Sequence, residues 1–395
     1  MSEAVLPLRT ASGPGPEAAP RAPRPFAARL RAAAPALLGY AAIRALGLLV
    51  LALWSASPAK DLRVLLSQRW DALWYVRVVE HGYDFTLRAP DGRILSDLAF
   101  FPLLPALESA LSRLTALTPG DAGLLVSALA SLAAAAGLYA VGELLHGRRA
   151  GIALALLWGA LPVAVVQSMA YSESLFTALA VWSLYALLTG RWIGAGVLCA
   201  LAGLTRPIGV AVVAAIWLTG LLALRDGTGR RARVLAGLAL APLGWLGYLL
   251  WVGVRTGGPT GYFGVQAAWG NGFDAGLTFA RFIGARFTAP GAGPLAGLAL
   301  CAGLALPAWA FTLCVRARQP LALLVYAAVV VALALGASGY IGSKPRLLLP
   351  AFPLLLPAAV ALARARTARA AAVLAGLAAA SVLYGAVWLT GSGPP

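Results

Sequence analysis

The chain has 395 residues, 61% of them hydrophobic and 11% charged, and its mean hydropathy is +0.82. Soluble domains carry about a quarter charged residues, so a soluble globular protein is excluded, as is a β-barrel, whose spans would be short alternating segments. The net charge of +17 sits in short basic clusters between apolar runs, a pattern set by membrane topology and not by nucleic-acid binding.

Apolar runs of roughly 18 or more residues recur along the chain, each long enough to cross about 30 Å of hydrocarbon. The expected fold is therefore an all-α polytopic membrane protein. Residues 1–32 are rich in Pro, Ala and Arg without helical periodicity and are expected to form a disordered tail. Arg9, Arg21, Arg24, Arg29 and Arg31 place that tail in the cytoplasm. No earlier apolar segment suits a cleaved leader, so the first span, 33–55, is expected to act as its own signal and to cross outward.

Residues 56–120 then form a large first extracytoplasmic loop. It opens with QRWDALWYVRVVEHGYDF, 68–85, which crowds charges among aromatic rings in a chain otherwise of Leu, Ala, Val and Gly. The run 99–117, with Glu108, Arg113 and two prolines, is expected to lie along the interface. Spans follow at 121–145, 150–167, 175–189, 192–205, 208–224, 234–254, 292–314, 320–337, 347–363 and 370–390. With the first, that makes about eleven in one domain over 33–395. The count puts the arginine clusters at 148–149, 225–233, 316–318 and 364–369 all inside. An error of one span would flip half of them. The stretch 192–205 covers only some 21 Å and ends at Thr205-Arg206-Pro207, as a broken helix lining a polar cavity would.

By this alternation five polar-aromatic clusters face outward: WDALWY (70–75), AYSESLF (170–176), Thr205-Arg206-Pro207, YFGVQAAWGNGFD (262–274) and YIGSKPRLLLPAFP (340–353). Each has an ordinary structural explanation. Asp71 can pair with Arg69, Trp70, Trp74 and Tyr75 can be interface-belt aromatics, and Arg206 can snorkel to headgroups. Glu173, beside a long apolar run, is costly unless it faces a cavity. Lys344 and Arg346 run against the positive-inside trend and favour an anionic partner. His81 and His146 are isolated, and Cys199, Cys301 and Cys314 sit in apolar runs as packing residues. No metal site and no cofactor are expected.

Cations on an outer face suit a lipid-borne phosphate. Aromatic faces such as Trp70, Trp74 and Trp269 suit a sugar, with Tyr75, Glu173 and Gln266 as polar neighbours. A carboxylate among them can take a proton from a hydroxyl nucleophile. These parts fit glycosyl transfer from a lipid-linked phosphosugar.

The order WDALWY, EHGYDF, FFPLLP, AYSESLF, LTRPIG, VQAAWG and KPRLLLPAFP resembles the PIG-V family of mannosyltransferases, related to the second mannosyltransferase of GPI-anchor synthesis and its bacterial counterparts. The resemblance implies a GT-C bundle with a polyprenyl-phosphate-mannose donor. It maps Asp71 onto the catalytic position in the first outer loop. Arg206, Lys344 and Arg346 are then expected to hold the donor phosphate, and Asp84 is the alternative base. The acceptor is expected to be a hydroxyl of a glycan, glycolipid or protein. The near-absence of Lys, with an Ala, Gly and Pro excess, points to a GC-rich bacterial source, hence a plasma-membrane enzyme. Two alternatives stay open: a GT-C transferase using another polyprenyl-phosphate sugar, and a polyprenyl-lipid flippase or secondary transporter.

Overall fold

The computed structural model describes residues 26–55 and 61–391. Most of the predicted tail lies outside the described residues. Helix α1 (Phe26–Trp54) begins inside the segment read as tail, because Ala and Arg are strong helix formers and extend an apolar span at little cost.

The first loop is built of α2 (Leu62–Ser67), α3 (Asp71–His81), a hairpin of β1 (Thr86–Arg88) and β2 (Ile94–Ser96), and α4 (Leu103–Leu114). The hairpin pairs Thr86 with Ser96, Leu87 with Leu95 and Arg88 with Ile94, turning at Gly92, whose φ is +85°. At 1.5 Å per residue α4 is about 18 Å long, too short to cross. Its polar and apolar faces separate, as expected of a helix lying along the bundle. Asp61 caps α2 through the Arg63 amide, and Thr118 caps α5 (Pro119–His146). Arg63 Nε then donates to Asp121 Oδ1 at 2.6 Å, tying α2 to the start of α5.

The bundle continues with α6 (Arg148–Gly159), α7 (Glu173–Leu188), α8 (Trp192–Gly203), α9 (Val210–Arg225), α10 (Arg231–Leu240) and α11 (Leu243–Thr256). Two shorter helices follow, α12 (Gly261–Ala268) and α13 (Leu277–Phe287), then α14 (Gly293–Arg316), α15 (Leu321–Gly336), α16 (Lys344–Leu347), α17 (Leu356–Arg364) and α18 (Thr367–Leu389). Among the described residues six stretches are long and apolar enough to cross a membrane: Arg31–Trp54, Pro119–His146, Pro207–Arg225, Arg231–Thr256, Gly293–Arg316 and Thr367–Leu389. A seventh is added if Ile341–Leu347 and Phe352–Arg364, bent by 74°, count as one. Among the described residues the expected count of about eleven spans is therefore not confirmed. Glu173–Leu188, Trp192–Gly203 and Leu321–Gly336 are apolar but short, because breaks at 160–172, 204–209 and 337–343 cut the apolar runs.

Lipid offers helices no hydrophobic drive to associate, so the bundle is held by close packing. A β-carbon on Gly142 of α5 would sit 2.7 Å from the Gly151 Cα of α6, and one on Gly244 of α11 would run into the Ala200 carbonyl of α8. The core centres on α5, α6, α7, α9 and α15, with Trp158, Tyr40 and Tyr326 wholly buried. Breaking a helix frees carbonyls that lipid cannot satisfy. At the bent segment Trp158 Nε1 donates to Leu349 O at 3.1 Å, and Tyr326 Oη to Pro350 O at 3.0 Å. These bonds hold α16 in place. Arg44, on α1, likewise donates to Gly159 O and Ala164 O where α6 ends.

The loops meet at one end. Ala170 N bonds Leu66 O, Leu103 N bonds Leu204 O and Asp274 N bonds Gly336 O. Gln266 Nε2 reaches Ala99 O, and Trp269 Nε1 reaches Ser96 O. The arginine clusters sit at the other ends of the same helices.

Candidate active site

Asp71 is the first residue of α3, following Trp70 at φ +51°, ψ −124°. A residue with a β-carbon pays roughly 1–3 kcal/mol for such a backbone, and these positions cluster at functional sites. The Asp71 carboxylate faces Arg346 of α16, with Nη2 to Oδ2 at 2.9 Å. Arg346 Nε lies 3.2 Å from Glu173 Oε1, out of line for a hydrogen bond. Glu173 Oε1 is in turn 2.7 Å from Arg206 Nη1. Arg206 also donates to Ser172 Oγ at 2.9 Å, which shares a 2.8 Å hydrogen bond with Tyr75 Oη. The Arg346 guanidinium stands 5.1 Å from the Tyr171 ring centroid.

Four stretches far apart in sequence thus build one alternating chain of charge, Asp71, Arg346, Glu173 and Arg206. Taking ions out of water costs several kcal/mol each, and a buried pair often gains less than an apolar pair would. Stability alone does not account for such a network. The exposures separate the two acids: the Glu173 side chain is 1% exposed and the Asp71 side chain 25%. Of the two acids Asp71 alone is open to solvent, while Glu173 lies between the two arginines. Arg346 Nε faces Glu173, and Nη1 has no hydrogen-bond acceptor among the described residues, which leaves a buried donor on the guanidinium that pairs with Asp71. Burial pushes the Tyr75 phenol well above its ordinary pKa, so it serves as a neutral hydrogen-bonding group.

Other predicted residues lie elsewhere. Lys344 is two residues from Arg346 but turns the other way. Its Nζ donates to Ala334 O at 2.9 Å and to Ala337 O, capping the end of α15, so it does not join the cation pair. Trp74 is buried, stacked on Phe100 at 5.5 Å and edge-on to Trp269 at 4.9 Å. It forms a wall of the loop and offers no free face to a sugar. Gln266 spends its amide on Ala99 O, Tyr262 and Asn271, and Trp269 its indole N–H on Ser96 O. They join α12 to the first loop behind the site. Asp84 is exposed and ion-paired to Arg255, outside the network. Asp97 is buried and accepts from the Phe85 amide at 2.9 Å, and burial raises its pKa. Tyr171 and Ser172 are site residues that the sequence reading passed over. The serines flanking Glu173 were their signal.

The bundle resembles solved membrane-protein structures. It aligns with ArnT from Cupriavidus metallidurans bound to undecaprenyl phosphate at a TM-score of 0.51 and 18% identity, over 82% of this chain and 60% of that one. It aligns with the archaeal oligosaccharyltransferase AglB from Archaeoglobus fulgidus, in complex with an inhibitory peptide and a dolichol-phosphate, at 0.52 and 12%, over 90% and 56%. The chain shares the multi-helix fold of these two structures. Residues 51–223 match the family described as Mannosyltransferase (PIG-V), a segment containing Asp71, Glu173 and Arg206. The GPI alpha-1,6-mannosyltransferase 2 of Rattus norvegicus is 33% identical over 157 residues, 37% of this chain and 30% of that protein. The Mus musculus protein is 33% identical over 154 residues, 36% and 29%. The chain is thus similar to the PIG-V mannosyltransferases over that segment, and the match spans about a third of the length of these relatives.

Proposed function

We propose that this protein transfers mannose from polyprenyl-phosphate mannose to an acceptor hydroxyl, with inversion at the sugar carbon. The observation that carries the reading is the 2.9 Å pairing of a partly exposed Asp71 with Arg346, whose Nη1 is a buried and unspent donor. The acceptor hydroxyl gives its proton to Asp71 while its oxygen bonds to the anomeric carbon. The bond from that carbon to the phosphate oxygen breaks, and polyprenyl phosphate departs with the electron pair. Asp71 thus loses a negative charge as the leaving phosphate gains one. Arg346 lies beside the carboxylate, and Arg206 is joined to it through Glu173. The phosphate is received there, and the guanidinium trades a carboxylate for a phosphate without losing its counter-charge.

The bound undecaprenyl phosphate of ArnT and dolichol-phosphate of AglB favour a lipid-linked donor. The family match favours mannose. The arginine clusters at the far ends of the helices favour a cytoplasmic N-terminus and an extracytoplasmic site in a bacterial plasma membrane. The test is transfer of labelled mannose by purified protein from polyprenyl-phosphate mannose to a hydroxyl acceptor, run beside the glucose and arabinose donors. Transfer from another donor but not from mannose would make it a GT-C transferase of different specificity. Lipid movement without transfer would make it a flippase.

A further inference from the structure

Asp71 inherits its position from the residue before it. Trp70, at φ +51° and ψ −124°, has the backbone of the first corner of a type II′ turn, where glycine is the usual occupant. Its carbonyl accepts from Leu73 N at 3.2 Å, inside the first turn of α3, so its torsions set the direction in which α3 and Asp71 leave the turn. No side chain caps this helix start. What holds the turn is Arg69. Its guanidinium lies 4.0 Å from the centroid of the Trp70 ring. The same group donates to Leu389 O at 3.1 Å and to Gly391 O at 3.3 Å, carbonyls at the end of α18. There the helix dipole is negative and attracts a cation. Arg69 is thereby pinned from a helix 320 residues away and presses on the ring of the residue that aims the carboxylate.

We propose that Arg69, clamped to the C-terminal end of α18, is a positioning residue that holds the Trp70 turn and so keeps Asp71 against Arg346. This rests on the catalytic role given to Asp71 above. The clamp itself has a readout independent of transfer.

The test is a double-mutant cycle of Arg69→Ala with Trp70→Gly, read by kcat and by amide exchange over residues 69–75. Glycine adopts the turn unaided, so the clamp becomes dispensable in its presence. Arg69→Ala alone is expected to lower kcat about tenfold or more, leave the donor KM within about twofold, and speed exchange of the segment about tenfold. Arg69→Lys, which keeps the charge, should fall between. In the Trp70→Gly background Arg69→Ala should change kcat and exchange by no more than about twofold. Equal effects of Arg69→Ala in both backgrounds, or unchanged exchange when it is made alone, would overturn the proposal. If the wild-type protein transferred no sugar from any polyprenyl donor, the proposed function would fall while the exchange arm still decided the clamp.

Discussion

Replacing Arg346 by lysine keeps a positive charge at the centre of the site but discards its shape. The guanidinium places Nη2 2.9 Å from Asp71 and Nε 3.2 Å from Glu173, with Nη1 left over. An ammonium is a single point and cannot sit against both acids while also facing a phosphate. One charge-assisted hydrogen bond is lost in the transition state, worth roughly 1.5–3 kcal/mol. At about 1.4 kcal/mol per decade, that is a fall of about ten- to more than a hundredfold in kcat/KM for the lipid donor. Initial rates at varied polyprenyl-phosphate mannose, with thermal unfolding in the same detergent, separate this from misfolding. A folded Arg346→Lys protein with kcat/KM within twofold of wild type would refute the placement of the phosphate at this guanidinium.

Lys344→Met should behave in the opposite way, losing roughly 1–2 kcal/mol of stability as the α15 cap disappears while the donor KM stays within about twofold; a large KM change would return Lys344 to the phosphate site. Gly244→Ala should cost roughly 1–3 kcal/mol by forcing a β-carbon against the Ala200 carbonyl, visible as a lowered Tm. Glu108 is fully buried and neither carboxylate oxygen has a hydrogen-bond partner among the described residues, so burial raises its pKa well above the ordinary value. The folded state therefore favours the protonated acid: this contribution is intact below the unfolded pKa of about 4.3 and is lost as pH rises toward the folded pKa, by at most about 1.4 kcal/mol per unit. Glu108→Gln should flatten that slope and raise the Tm at pH 7 relative to wild type, and equal pH profiles for the two proteins would contradict it.

The four charged members of the candidate site were each singled out in the sequence on different grounds: Glu173 because an acid beside an apolar run is costly, Arg346 because it runs against the positive-inside trend, Arg206 because it ends a short span, and Asp71 through the motif resemblance. Their pairing was not legible. Lys344 and Arg346 look equivalent in KPR, yet two residues along a helical turn point a side chain to nearly the opposite face, one to a helix end and the other to Asp71. The aromatics were hard to place for a related reason. A tryptophan in a loop shows its ring but not its neighbours: Trp74 is buried against Phe100 and Trp269, whereas Trp269 itself stays half-buried. Composition found the helices and the break at 204–209, but ran the helix that ends at Gly159 on to 167. The interruption after Gly159 depends on a partner remote in sequence, Arg44, which donates to Gly159 O and Ala164 O.

Asp71→Asn tests the central claim most directly. The amide keeps the size of the side chain and can still accept from Arg346, so folding and binding of lipid donor should survive. It cannot take up the acceptor's proton, so kcat for mannose transfer should fall by at least about 10², whereas Asp84→Asn, in an exposed pair with Arg255, should stay within a few-fold of wild type. A well-folded Asp71→Asn protein that transfers mannose at near-normal rate, with Asp84→Asn inactive, would contradict the account.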